Sequence, residues 1–264
     1  MLKTAVLTVL FLALAQPVLA QTSQSVVDIP SRPGVSQRLL LLTPPSPKAA
    51  VILLAGGHGG LQIFQNGTFR WGAGNFLVRS RQLFADQGLA VAVLDAPSDR
   101  QSPPFLNGFR QTAEHATDIK ATIAWLRAQT QLPVWLIGTS RGTQSAAFAA
   151  LELAGRDAPD GLVLSSSIVT DRRERSVASM PLSQLRIPVL VVHHEQDACA
   201  LCRFSEAASM MDRLTQSPRK QLLAIRGGES HGDPCEAFAH HGFNGIEADV
   251  VAQTAAWITA STAH

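Results

Sequence analysis

The stretch Val134-Trp135-Leu136-Ile137-Gly138-Thr139-Ser140-Arg141-Gly142 leaves the chain few local structures to choose from. An apolar run ends in a serine with a glycine two residues to either side, and alanine-rich, helix-favouring sequence follows at once. The spacing G-x-S-x-G fits a tight strand-to-helix turn, in which only glycine-sized neighbours let strand and helix come close. At such a tip the hydroxyl stands clear of the sheet. The amide of Arg141, near a helix N-terminus, then faces any oxyanion formed there. Alone, the pentapeptide is as well read as a Gly-rich turn, so the rest of the chain must supply its partners.

Apolar runs recur at 49–54, 89–94, 134–137, 161–164, 187–192 and 221–225, and those at 49–54 and 89–94 are continuous, as strands buried on both faces require. Between them lie helical patterns. Asn75 caps a helix with Phe76, Leu77, Leu83 and Phe84 on one face, closed by Gly88. Residues 111–129 place Ala116, Ile119, Ile123 and Leu126 at helical spacing, and 146–153 continue the helix after the serine. Phe204, Ala208, Met211 and Leu214 mark another helix, and Ile246, Val250, Val251, Trp257 and Ile258 the last. Residues 25–29 and 35–42 read as early edge strands. The expectation is an α/β fold: one domain over 21–264, a mostly parallel central sheet, and helices on both faces. Ligands bind such sheets outside the carboxyl ends of the strands, where the Gly-rich turn at 56–60 and the serine turn both fall.

Composition bounds the partners. Of 264 residues, 46% are hydrophobic and 16% charged, with a net charge of +2, which gives no electrostatic case for nucleic acid or an acidic membrane surface. Residues 1–20 differ in kind: Lys3, an apolar stretch at 5–15 and Val18-Leu19-Ala20 before Gln21 describe a cleaved secretory signal. The stretch is shorter than the ~20 residues a spanning helix needs. The mature protein is therefore expected to be secreted or periplasmic, off the membrane after cleavage, where disulfides are permitted.

A serine hydroxyl is a poor nucleophile at neutral pH and needs a base, itself oriented by an anion. For the acid, Asp197 follows the run at 187–192 far enough for a loop to carry it over the sheet edge. Glu195 stays tied to the strand end, and Asp171 opens an arginine-rich, aperiodic stretch at 171–186. For the base, His241 precedes the last helix with Gly242 after it, and is favoured over His231, which follows the run at 221–225 more directly.

With these residues the chain resembles the α/β-hydrolase superfamily, and looks like a small, secreted bacterial member of the dienelactone-hydrolase-like or esterase-like kind. Four places carry the resemblance: the turn at 56–60, the elbow Gly138-Thr139-Ser140-Arg141-Gly142, the loop at Asp197, and His241-Gly242-Phe243. It implies a catalytic set of Ser140, Asp197 and His241, and an oxyanion hole built from the amides of Arg141 and Gly57. One departure is that many members place His-Gly before the oxyanion loop, whereas this chain has Ala55-Gly56 with His58 later, which leaves Gly57 and His58 both open as the second donor. The sequence between 161 and 187 is too short for a large lid.

Three cysteines remain. A Cys199–Cys235 disulfide would bind the acid loop to the histidine loop and leave Cys202 over. The rivals are a redox-active Cys199-x-x-Cys202 and a zinc site of Cys199, Cys202, His231 and Cys235, which an oxidising compartment disfavours, so that no metal and no cofactor are expected. Of the other polar residues, His115 on the long helix is read as solvated, the Arg141 side chain as paired with a carboxylate, and Trp71 and Phe105 as overhanging the cleft. The expected activity is cleavage of a small or medium carboxylic ester by serine attack and an acyl-enzyme. A peptidase or amidase on the same residues, and a catalytically silent binding protein of the same fold, are the alternatives.

Overall fold

The structure, a computed structural model, describes residues 21–260, so the expected signal segment at 1–20 lies outside the described residues. Eight strands form one sheet in the order β1-β2-β4-β3-β5-β6-β7-β8. Strands β1 (Ser23–Arg32) and β2 (Val35–Thr43) form an antiparallel hairpin around Gly34, whose φ of +73° suits the tight reversal. Strand β2 also pairs antiparallel with β4 (Leu89–Leu94), so it lies inside the sheet, whose two edges are β1 and β8. Strands β3 (Ala49–Leu54), β5 (Val134–Thr139), β6 (Gly161–Ser165), β7 (Val189–His194) and β8 (Lys220–Ile225) are parallel with β4 and with one another.

The alternation of side chains along each buried strand divides the core in two. From β3, Ile52 and Leu54 point to a layer holding α3 (Ala113–Thr130), α4 (Arg141–Glu152) and α5 (Phe204–Arg213). Val51 and Leu53 point to the other layer, with α1 (Phe76–Arg79), α2 (Arg81–Asp86) and α6 (Glu247–Ala260). Each large apolar side chain fully buried this way contributes about 1.5–3 kcal/mol, which is why continuous apolar runs sit at the centre. Trp135 shows how tight the second layer is. It meets Trp257 edge-on at 5.6 Å, and a Cβ at Gly161 would lie 2.1 Å from its ring.

The helix expected over 75–88 is two helices. Ser80, with ψ near 0°, closes α1 and redirects the chain into α2. The arginine-rich stretch at 171–186 is anchored rather than loose: Val177, Met180, Leu182 and Leu185 are buried against the α4 and α5 layer. Among the described residues no helix is long and apolar enough to cross a membrane.

Candidate active site

Six parallel strands end on the same side, and the loops after β3, β5, β6, β7 and β8 meet there. Ser140 stands between β5 and α4 with φ 74° and ψ −121°, a conformation that costs a non-glycine residue roughly 1–3 kcal/mol. Its surroundings enforce it. A Cβ at Gly138 would come 2.4 Å from the Gly142 carbonyl oxygen, one at Gly142 2.0 Å from that of Leu54, and one at Gly56 2.9 Å from the Ser140 Cβ. The Ser140 amide donates to the Ser165 carbonyl at 3.1 Å, which ties the turn to the next strand.

His241 lies in a short 3-10 turn, His240–Gly242, ahead of α6 and is almost wholly buried. Its Nε2 is 3.0 Å from Ser140 Oγ, and its Nδ1 is 2.9 Å from Asp197 Oδ2. The other carboxylate oxygen of Asp197, Oδ1, accepts the Cys199 amide at 2.9 Å. Gly242 is needed after the histidine because a Cβ there would lie 1.9 Å from the Ala237 carbonyl oxygen. The backbone is held from two further sides: Ser166 Oγ donates to the His241 carbonyl at 2.7 Å, and Arg79 Nη2 to that of Gly242 at 2.7 Å. His193, buried beneath, donates from Nε2 to the Cys202 carbonyl at 2.6 Å and lies 3.6 Å from Asp197 Oδ2. Burial holds its pKa below the ordinary histidine value.

The rival residues are elsewhere. His231 is exposed and pairs with Glu229 at 2.9 Å, and Glu195 pairs with Arg226 at 2.7 Å. Asp171 takes the Arg141 guanidinium at 2.9 Å. Burial would raise its pKa, but the Arg173 amide and Arg141 outweigh it and hold the carboxyl below its usual range. Cys199 and Cys235 are disulfide-bonded, with Cα atoms 4.6 Å apart, and Cys202 is a buried thiol whose pKa burial pushes up. The four-residue zinc set is therefore not assembled. The nearest cluster of metal-type donors is Cys199, Cys202 and His241, in which Cys199 is spent in the disulfide and His241 is bonded to Ser140 and Asp197.

In front of Ser140 is a cleft of about 420 Å³. Gly57 and Arg141 both line it; Arg141 is the first residue of α4, so its amide has no carbonyl within the helix to bond. Gly57, at φ +58°, passes so close under Trp71 that a Cβ would lie 2.4 Å from the indole. His58 turns the other way, its ring lying between Trp71 at 3.7 Å and Phe105 at 4.3 Å, with Nδ1 accepting the Gly60 amide. Trp71 lines the cleft as expected, whereas Phe105 does not: it is folded over His58 and against Gly60. The remaining walls mix apolar side chains, Phe76, Ile168, Leu201 and the half-exposed ring of Phe238, with the polar Asn75 and Glu236.

No known family model and no curated protein sequence matches the chain. Solved structures do. A dienelactone hydrolase from Anabaena variabilis is similar over 91% of this chain and 99% of its own, with a TM-score of 0.64 at 17% identity. An esterase from Pyrococcus furiosus is similar over 90% of this chain and 91% of its own, with a TM-score of 0.66 at 14% identity. An alpha-beta serine hydrolase homologue from Coxiella burnetii covers 89% of this chain and 98% of its own, with a TM-score of 0.60 at 16% identity. This chain has the α/β-hydrolase fold.

On this α/β-hydrolase fold, the surroundings of the cleft depend on residues that no motif points to. Asp95, buried at the end of β4, accepts the amides of Leu61, Gln62, Ile63 and Ala96 and so clamps the loop after the Gly-rich turn. Burial raises its pKa against the pull of those four bonds. Arg110 reaches the Gly-rich turn itself from the loop before α3. His115 is buried rather than solvated. It lies one helical turn before Ile119, on the stripe of α3 that faces α4, and that spacing was the available signal.

Proposed function

We propose that the protein is a serine hydrolase that cleaves carboxylic esters of small or medium size, with Ser140 as nucleophile, His241 as base and Asp197 as the acid that orients it. The observation that carries this reading is the unbroken chain from Asp197 Oδ2 to His241 Nδ1 at 2.9 Å and from His241 Nε2 to Ser140 Oγ at 3.0 Å, ending at an open cleft. The buried carboxylate fixes the imidazole as the Nδ1–H tautomer, which leaves Nε2 free to accept the serine proton. Ser140 Oγ bonds to the ester carbonyl carbon while its proton passes to Nε2. The tetrahedral oxyanion is held by the amides of Gly57 and Arg141, and the imidazolium returns the proton to the departing alkoxide. Water, deprotonated by the same His241, then attacks the acyl-enzyme and releases the acid and the serine.

The cleft favours an uncharged acyl group. Arg141, in its wall, is already neutralised by Asp171, Glu236 in the same wall is acidic and would repel an anion, and Trp71, Phe238 and Leu201 offer apolar surface. The Cys199–Cys235 disulfide supports a secreted or periplasmic location, because such bonds persist in oxidising compartments.

A fluorophosphonate probe should label Ser140 in the wild type and not in Ser140→Ala. Turnover of p-nitrophenyl butyrate should fall at least about 10³-fold in that variant. Undiminished hydrolysis by Ser140→Ala overturns the proposal. A substrate panel that turned over anilides as fast as esters would move the assignment to an amidase.

A further inference from the structure

Behind the two amides assigned to the oxyanion sits a cation. Arg110 is 1% exposed, and among the described residues it forms no salt bridge. Its Nη2 donates to the carbonyls of Ala55 at 3.1 Å and Gly57 at 3.0 Å, and its Nη1 to Ser145 Oγ at 2.9 Å. Its Nε has no partner. Burying a guanidinium without an anion is expensive, and an apolar side chain of similar volume would fill the space at lower cost. Such an expense, aimed at these three acceptors, points to the site rather than to packing.

The acceptors are informative. The Ala55 carbonyl belongs to the peptide unit before Gly56, and the Gly57 carbonyl to the unit before His58. Between them lies the Gly56–Gly57 unit, which carries the Gly57 N–H. Two consecutive glycines are the most permissive backbone a chain can have, and clamping the units on either side fixes the middle one. The third acceptor, Ser145, is in α4, the helix whose first amide is that of Arg141. One guanidinium thus ties both amides to a common frame.

The frame is closed on its far side. His115 Nε2 is 3.0 Å from Ser145 Oγ. Burial first, and then the charge of Arg110, push the His115 pKa down to about 3, so the ring is neutral. Ser145 Oγ accepts from Arg110 and donates to Nε2. Burial also lowers the Arg110 pKa, to about 9, which leaves the group charged at neutral pH.

We propose that Arg110 is a positioning residue of the oxyanion hole: its buried guanidinium sets the Gly57 and Arg141 amides in one geometry and places positive potential behind them. The role rests on the serine hydrolase reading, and the experiment separates the two. Wild type is first tested for fluorophosphonate labelling and for kcat and KM on p-nitrophenyl butyrate. A wild type that neither labels nor turns over overturns the parent reading and this one with it.

With an active wild type, Arg110→Met, Arg110→Lys and Ser145→Ala are compared after circular dichroism confirms folding. Arg110→Met should lose about 30–300-fold in kcat with KM changed by less than about 3-fold. Its affinity for a trifluoromethyl ketone, which forms the tetrahedral adduct on Ser140, should fall by a similar factor. Arg110→Lys should recover about 10-fold of the loss, because the charge returns without the fork that reaches all three acceptors. Ser145→Ala should lose about 3–10-fold in the same parameters. A folded Arg110→Met with wild-type kcat and ketone affinity overturns the proposal. Should Arg110→Met fail to fold, unchanged kcat and ketone affinity in both Arg110→Lys and Ser145→Ala overturns it.

Discussion

Asp197 accepts two hydrogen bonds with two different oxygens: the Cys199 amide on Oδ1 and the His241 ring on Oδ2. This division makes its amide isostere a sharp test. In Asp197→Asn the carbonyl oxygen keeps the Cys199 amide, so the NH₂ group turns to His241 and forces its proton from Nδ1 to Nε2. The imidazole then faces Ser140 with a donor and cannot take the hydroxyl proton. We expect kcat to fall about 10⁴-fold with the loop geometry kept, checked by steady-state kinetics beside circular dichroism. The turn at Ser140 is legible in the sequence because close packing restricts its neighbours to glycine, and that restriction is written in the chain. His241 stands out by its place ahead of the last helix and by the glycine after it, and the fold gives that glycine a reason, since Gly242 passes too near Ala237 for any side chain. Arg110 was not legible: it lies in an aperiodic loop, and its three acceptors, at 55, 57 and 145, are brought to it only by tertiary packing.

Asp197 lies on the loop after β7 and His241 on the loop after β8, and two tethers set these loops against the rest of the site. The Cys199–Cys235 disulfide joins the loops to each other across 36 residues of sequence. Arg79, on α1, bonds the carbonyls of Gly74 and Gly242 and pairs with Glu247 of α6, joining the histidine turn to the opposite wall of the cleft. Closing a loop of this length by a disulfide contributes about 3–4 kcal/mol in the chain-entropy model. The double variant Cys199→Ala/Cys235→Ala should therefore unfold at lower urea, by that free energy. Its kcat should fall more than its KM rises, because the His241–Asp197 pair loosens while the cleft walls stay. Equal urea midpoints would mean that the loops hold themselves. At this scale the eight strands were readable from their apolar runs, whereas the inner place of β2 and the break at Ser80 were not. Strand order is decided by which surfaces the helices cover, and the break by a single ψ angle.

At the scale of the molecule, four histidines among the described residues (His58, His115, His193 and His194) have pKa values below the ordinary 6.5, in each case chiefly because burial disfavours the charged ring. His115 is lowered furthest, to about 3. In the unfolded chain these rings take up protons near pH 6.5, while in the fold they stay neutral, so between the two values the unfolded state binds more protons. Stability is then fully present above about pH 6.5 and is lost as pH falls, at up to about 1.4 kcal/mol per pH unit for His115 alone. Asp95 acts in the opposite sense above pH 3.8, since burial raises its pKa. The lowered carboxylates Asp28 and Asp171 act only below that value, outside a comparison of pH 7 with pH 5. Urea unfolding should accordingly give a stability at pH 5 lower than at pH 7, by about 1.4 to several kcal/mol. His115→Gln keeps a side chain able to bond Ser145 and removes one titrating group, so its stability should change between the two pH values by about 2 kcal/mol less than that of the wild type. A wild type equally stable at both pH values would mean that these rings charge inside the fold, and that the packing around Arg110 and His115 opens on protonation.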